Sequence, residues 1–447
     1  MTKPLKYFGT DGIRGPYGGE IINEEFYHSL GIAFAQFLED KNCDKSKLIL
    51  LARDTRPSGE KLLASCLHGL KEKNFTALNL GVLPTPALAF SITSQHALGG
   101  IMVTASHNPH SDNGLKIISH EGGKLTVNEE RSIENYISKQ QAFPEDLSAQ
   151  TIETTSSYID AYIQNLTDWF APNFLAGQKI VIDLANGATV ITSPLALESF
   201  GAEVICMNQG NGLINDQAGS EFTEGLSKRV IEENADMGLA HDGDGDRIIF
   251  VDKNGFKIDG DKILGILAVH AQKYGSLQAG GFVSTIHSNS GLEEFLTENS
   301  IKLNRSDVGD RNVFALMQEK KYNWGGESSG HIICSDYLNT GDGLFSALSV
   351  LKCITDFQSD ISTLADQVKL WPSRSTGLKT HSKKPVSRFE NLNHYLRQIT
   401  LEQGKQVRVL IRYSGTEPKL RILVEAKDEN LIDKVFHQVT ELVSKHI

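Results

Sequence analysis

The feature that most constrains the fold is a repeat: a short apolar run rich in β-formers, a polar or glycine-rich turn, then a helical pattern. Leu48 to Ala52 runs into Arg53-Asp54-Thr55-Arg56-Pro57-Ser58-Gly59 and a helix from near Glu60, and Gly100 to Val103 runs into Thr104-Ala105-Ser106-His107-Asn108-Pro109. Lys179 to Leu184, Met237 to Ala240 and Phe282 to Ile286 end in the same way, the last opening a helix through Glu293 and Leu296. Such units build parallel pairing with helical crossovers. At 447 residues the chain exceeds what one core supports, so three or four domains are expected. The C-terminal pattern differs: two alternating strands, Val407 to Arg412 and Leu420 to Glu425, flank a turn, and an amphipathic helix follows from about Asn430 to Ser444. The predicted fold class is therefore α/β: three domains with mixed or parallel sheets, then a smaller C-terminal α+β domain. Polar stretches place the segments at 1–155, 156–256, 257–370 and 371–447.

A formal net charge of −11 argues against a nucleic-acid partner, which needs a basic surface. The apolar fraction of 40% and charged fraction of 22% are those of a folded chain. Five cysteines, scattered and without metal-type spacing, read as thiols rather than as a disulfide framework or a zinc site. No secretory segment or run of about 18 apolar residues is visible, which predicts a cytoplasmic protein without a membrane span.

In open parallel sheets ligands gather beyond the carboxyl ends of the strands, and the chemically suggestive residues lie there. In His241-Asp242-Gly243-Asp244-Gly245-Asp246-Arg247 three carboxylates alternate with glycines, so a short loop can turn all three towards one hard cation. An EF-hand loop would need Gly at its sixth position and Glu at its twelfth, where Arg247 and Lys253 stand. Few protein ligands and open positions suit Mg²⁺ with a phosphoryl group as its partner. Ser106 follows a strand that Pro109 prevents from running on, without a Gly-x-Ser-x-Gly elbow, and beside a cation it can carry a phosphoryl group. Lys116 offers a cation or a proton-transfer group, or merely a solvated side chain. Gly325-Gly326-Glu327-Ser328-Ser329-Gly330-His331 sets a carboxylate, hydroxyls and an imidazole on a glycine-rich loop suited to sugar hydroxyls, or is a plain polar loop. Arg412-Tyr413-Ser414-Gly415-Thr416-Glu417-Pro418-Lys419-Leu420-Arg421 brings two arginines to a turn rich in hydroxyls, a good phosphate nest. Nucleotide-binding and kinase signatures are absent from the sequence. Together these loops describe phosphoryl movement on a sugar that already bears phosphate.

The same loops resemble, along the entire chain, the α-D-phosphohexomutase superfamily, and within it the bacterial phosphoglucosamine mutases. Phe8-Gly9-Thr10-Asp11-Gly12-Ile13-Arg14-Gly15, Val308-Gly309-Asp310-Arg311, Thr340-Gly341-Asp342-Gly343 and Ser414-Gly415-Thr416-Glu417-Pro418 carry the resemblance. It implies four domains around a central active-site cleft and a phosphorylated Ser106. It also implies one Mg²⁺ per chain held by Asp242, Asp244, Asp246 and that phosphoserine. By the same resemblance Arg14, Lys116, Arg247 and His331 are active-site contacts, Glu327 and Ser329 read the sugar hydroxyls, and Arg412, Ser414, Gly415, Thr416 and Arg421 bind phosphate. The implied reaction interconverts glucosamine 6-phosphate and glucosamine 1-phosphate through a 1,6-bisphosphate, on the route to amino-sugar nucleotides and cell-wall precursors. The family admits a homodimer. A phosphomannomutase or phosphoglucomutase of the same fold, a bisphosphate-dependent phosphatase and a catalytically silent sugar-phosphate binder are the alternatives.

Overall fold

The computed structural model describes residues 5–41, 47–137, 155–414 and 418–447. Its chain forms two compact units, Met1–His287 with Ser300–Gln367, and Ser288–Asn299 with Val368–Ile447.

Three mixed sheets build the first unit, and they repeat one plan. In the first sheet the strand order is Ile13–Pro16, Asp112–Ser119, Gly99–Val103, Leu48–Arg53, Thr76–Val82. The last three are parallel, while Asp112–Ser119 runs antiparallel to both of its neighbours. The second sheet runs Lys257–Ile258, Ile248–Asp252, Met237–His241, Lys179–Asp183, Glu203–Met207, again with three parallel strands followed by antiparallel ones. The third, Lys302–Ser306, Gly281–Thr285, Trp324–Gly326, Ile332–Cys334, is a shorter copy. In each, the third strand of the parallel set turns back into an antiparallel neighbour. Those three turns contain Ser106, the three aspartates and Glu327.

The central strands, Leu48–Arg53, Gly99–Val103, Lys179–Asp183, Met237–His241 and Gly281–Thr285, are buried on both faces because helices cover them. Ile49 and Leu51, Ile101 and Val103, and Leu115 and Ile117 point from one face of the first sheet into a core shared with helices Glu24–Asp40 and Gly59–Glu72. Those helices touch backbone to backbone: a Cβ on Gly31 would lie 2.3 Å from the Cys66 carbonyl oxygen, and one on Gly69 2.2 Å from that of His28. Cys66, Cys334 and Cys353 are buried thiols and Cys206 is half-buried, whereas Cys43 lies outside the described residues.

The second unit is a three-stranded antiparallel sheet, Ser373–Lys379, Lys419–Ala426, Val407–Tyr413, with helices Glu390–Gln403 and Glu429–Ser444 over Leu420, Ile422 and Val424. Helix Ser290–Glu298 also belongs to it. Ser290 donates to the buried Glu425 through Oγ (2.5 Å) and backbone N (3.1 Å), and Asn289 Nδ2 donates to the Trp371 carbonyl at 3.0 Å. The apolar pattern through Glu293 and Leu296 marks this helix, but only pairing distant in sequence attaches it to the C-terminal sheet.

Candidate active site

Ser106 sits at the end of strand Gly99–Val103, as its pattern predicts, yet it is fully buried rather than displayed. Its φ of 51° is in the left-handed region, unusual for a serine and costly without support. The support is local. Ser106 N donates to Thr104 Oγ1 at 2.9 Å, and Thr104 in turn donates to Asp54 Oδ2 at 2.6 Å. The Ser106 carbonyl accepts from Arg56 Nη2 at 3.0 Å and from Asn215 Nδ2 at 2.7 Å. This turn aims Ser106 Oγ at Asp242, to whose Oδ2 it donates at 2.6 Å.

The three aspartates are buried and converge, with one carboxylate oxygen from each lying within 4.8 Å of the others. The glycines between them are a steric necessity: a Cβ on Gly243 would stand 2.6 Å from the Ser106 carbonyl oxygen, and Gly245 has a φ of 75° with Thr189 Cγ2 2.4 Å from where its Cβ would be. Lys116, on strand Asp112–Ser119, donates to Asp244 Oδ2 and to Asp246 Oδ2, each at 2.6 Å. Thr85 Oγ1 donates to Asp244 Oδ2 at 2.5 Å. Burial opposes the charge on Lys116, but Asp244 and Asp246 outweigh it and raise its pKa, so it is an ammonium throughout the physiological range. Burial, with the charges of Asp246 and Asp244, pushes the Asp242 carboxyl up to about 8. Asp246 is driven well below the ordinary range because Lys116 and His331 overcome the cost of its burial.

Arg14, Arg247 and His331 complete the ring. Arg14 pairs with Asp11, and its Nη1 lies 3.4 Å from Asn108 Oδ1. Arg247 and His331 form a β-bridge that joins the aspartate loop to the Glu327 loop, where the Ile248 N–H donates to the Gly330 carbonyl at 3.2 Å. His331 stands between two carboxylates, with Nδ1 3.4 Å from Asp246 Oδ1 and Nε2 3.4 Å from Asp310 Oδ2. Burial works against its charge, but the two carboxylates raise its pKa. Glu327 Oε1 accepts from the Gly309 N–H at 3.0 Å, and Ser329 is half-buried on the same turn.

Several contributors had only a faint sequence signal. Arg56 and Asp54 stand in the turn after a strand, Thr85 lies between two prolines, and Asn215 belongs to a loop without a motif. His107, whose Nδ1 lies 3.4 Å from Ser106 Oγ, has its pKa lowered to about 4 by burial and by Arg247 and Arg14, so it is neutral. Asp310 accepts from Lys124 Nζ at 2.7 Å, and Lys124 also pairs with Asp11.

In the second unit the strand register sets Arg412 directly opposite Arg421, and the Ser414 N–H donates to the Lys419 carbonyl at 2.8 Å. Gly415 and Thr416 lie outside the described residues.

Among the described residues, buried polar atoms without a hydrogen-bond partner cluster in this site, and they come in two signs. Asp244 Oδ1 lacks a donor and Asp246 Oδ1 has only the long 3.4 Å contact with His331 Nδ1, while Arg14 Nε and Arg247 Nε lack hydrogen-bond acceptors. Orphaned carboxylate oxygens suit a cation and orphaned guanidinium N–H groups an anion. The arrangement can therefore hold a metal ion and a phosphoryl group side by side next to a serine hydroxyl.

The chain matches four segments of one family, described as Phosphoglucomutase/phosphomannomutase: alpha/beta/alpha domain I over residues 5–143, domain II over 156–255, domain III over 259–371 and the C-terminal domain over 379–442. A phosphoglucosamine mutase of Sulfurovum sp. (strain NBC37-1) is 38% identical over 454 residues, covering 99% of each chain. One of Psychromonas ingrahamii is 39% identical over 430 residues, with 96% of each covered. Among solved structures, a putative phosphomannomutase from Thermus thermophilus shares the fold with a TM-score of 0.80 at 20% identity, over 99% of this chain and 100% of that one. An Aspergillus fumigatus N-acetylphosphoglucosamine mutase in complex with GlcNAc-6P and magnesium aligns with a TM-score of 0.65 at 16% identity, over 98% and 96%. The chain thus belongs to the phosphoglucosamine mutase family of the α-D-phosphohexomutases, and it is an isomerase.

Proposed function

We propose that the protein interconverts glucosamine 6-phosphate and glucosamine 1-phosphate through a phosphorylated Ser106 and a 1,6-bisphosphate. The observation that carries this reading is the buried Ser106 Oγ, 2.6 Å from Asp242, whose carboxylate in turn feels the charges of Asp246, Asp244, Arg247 and Lys116. The relatives' shared name, at 36 to 39% identity over nearly the whole chain, supports the amino sugar.

The donor set fits Mg²⁺: three buried carboxylates on alternate residues, with Asp244 Oδ1 lacking any donor. Asp242, Asp244, Asp246 and a phosphate on Ser106 would hold one ion. When bound, it offsets the negative charge of the transferring phosphoryl group. In the first half-reaction the bond from phosphorus to Ser106 Oγ breaks and one to the free sugar hydroxyl forms. That hydroxyl's proton leaves, and Ser106 Oγ regains a proton. In the second half the other phosphate returns to Ser106 and the protons run in reverse. Lys116, held by Asp244 and Asp246, is the candidate for proton transfer that the family resemblance implies. Arg14 and Arg247 stabilise the phosphoryl charge, and His331 holds Asp246 in place. Glu327 and Ser329 read sugar hydroxyls, and Arg412, Ser414 and Arg421 bind phosphate.

Intact-protein mass spectrometry is expected to find one phosphate that Ser106→Ala lacks. Turnover of glucosamine 6-phosphate is expected to exceed that of glucose 6-phosphate and mannose 6-phosphate, and to vanish in Ser106→Ala. Retained turnover by Ser106→Ala in the presence of bisphosphate overturns the carrier role, and faster turnover of either hexose phosphate overturns the sugar.

A further inference from the structure

Helices Glu24–Asp40 and Gly59–Glu72 carry a second group of metal-type side chains, none of which takes part in the site above. His28 comes from the first helix. His68 and Glu72 come from the second, four residues apart and so on one face. His28 Nε2 lies 3.1 Å from Glu72 Oε1, His68 Nδ1 lies 3.2 Å from the same oxygen, and the two nitrogens are 3.3 Å apart.

With Glu72 ionised, hydrogen bonds leave one edge of this triangle unsatisfied. If both nitrogens carry a proton towards the carboxylate, two donors face each other along the third edge. If only one does, the bare nitrogen turns its lone pair towards a carboxylate lone pair. One edge therefore sets like against like, and a cation between the three atoms removes the conflict. Bonds of about 2.0–2.1 Å in tetrahedral array put neighbouring ligand atoms roughly 3.3 Å apart, which is the spacing observed.

The backbone presets this arrangement. Gly69, next to His68, allows the His28 carbonyl to approach so closely that a Cβ there would lie 2.2 Å from its oxygen. The two helices therefore meet where their histidines converge. His28 is buried, whereas the side chains of His68 and Glu72 are 30% and 42% exposed, which leaves a coordination position towards solvent. Two imidazoles and one carboxylate favour a borderline transition ion over Mg²⁺.

We propose that His28, His68 and Glu72 form a second metal site, which takes a divalent ion of the Zn²⁺, Co²⁺ and Ni²⁺ class with water as fourth ligand and fastens the two helices together. The test is titration of the full chain with Co²⁺ in excess Mg²⁺, followed by visible absorption and by thermal unfolding. The expected result is one equivalent of Co²⁺ with the absorption of four-coordinate geometry, displaced by Zn²⁺, and a raised Tm. His68→Ala is expected to lose that equivalent, and Glu72→Gln to weaken it by more than about 100-fold, beyond the roughly 10- to 100-fold that loss of a hydrogen-bond partner to a ligand costs. Both variants sit at the surface and are expected to keep wild-type mutase turnover with Mg²⁺. Absence of Co²⁺ uptake by the wild type, or equal uptake by His68→Ala, overturns the site.

Discussion

Arg56 shows how much one side chain can contribute to a nucleophile that it does not touch. It is fully buried, and its guanidinium donates from Nε to Asp54 (3.0 Å), from Nη1 to the carbonyls of Pro109 and Asp112, and from Nη2 to those of Ser106 and Asn108. All five N–H groups are used, a fork that lysine does not reproduce. Arg56→Met leaves the buried Asp54 carboxylate without its cation and takes one donor from each of four carbonyls, and we expect a loss of about 3–5 kcal/mol in denaturant unfolding together with lower turnover. Asp342 offers a pH signature. It caps helix Gly343–Phe357 through the Phe345 N–H (2.9 Å) and accepts from Tyr162 OH (2.7 Å), while burial pushes its carboxyl up to about 6 from 3.8. The folded pKa lies above the unfolded one, so the folded state binds the extra proton. That contribution is fully present below about pH 4 and lost as pH rises through about 6, about 3 kcal/mol in all. Asp342→Asn keeps the cap acceptor, and we expect its stability relative to wild type to rise across that window in denaturant midpoints taken from pH 4 to 7.

At the scale of elements, the helix pair is set by the absence of side chains. Ala has the higher helix propensity by about 1 kcal/mol, yet a methyl on Gly69 would meet backbone 2.2 Å away. Overpacking wins, and Gly69→Ala is expected to lower stability by about 1–3 kcal/mol, read as a fall in Tm. The sequence pattern marks the second of these helices, from near Glu60, and the strand before it, because each has a face to bury, whereas the helix Glu24–Asp40 emerges only with the structure. It also marks two of the turns, since Ser106 and Asp242 to Asp246 follow apolar runs; Glu327 follows a polar and glycine-rich segment with no such run. It does not show that all three turns join a parallel strand to an antiparallel one, because strand order arises from pairing between distant segments.

For the molecule as a whole, contacts within the first unit turn separate loops into one site. Thr85 belongs to the segment that builds the first sheet and Asp244 to the second sheet's loop, joined through Thr85 Oγ1 at 2.5 Å and through the Thr85 N–H to the Asp244 carbonyl at 2.9 Å. Thr85→Val keeps the shape and removes the hydroxyl, so Mg²⁺ affinity measured by calorimetry is expected to fall by about 10- to 100-fold while the fold persists. Residue type and spacing are local properties, and they suffice for the fold class, the family and the chemical identity of the serine, the aspartates and the arginines. Assembly of the sheets is what buries Ser106 in a left-handed turn, brings Arg56 and Asn215 to hold it, and sets Lys116 between Asp244 and Asp246. Charge pairing and burial depend on which distant segments meet, and no local pattern along the chain encodes those meetings.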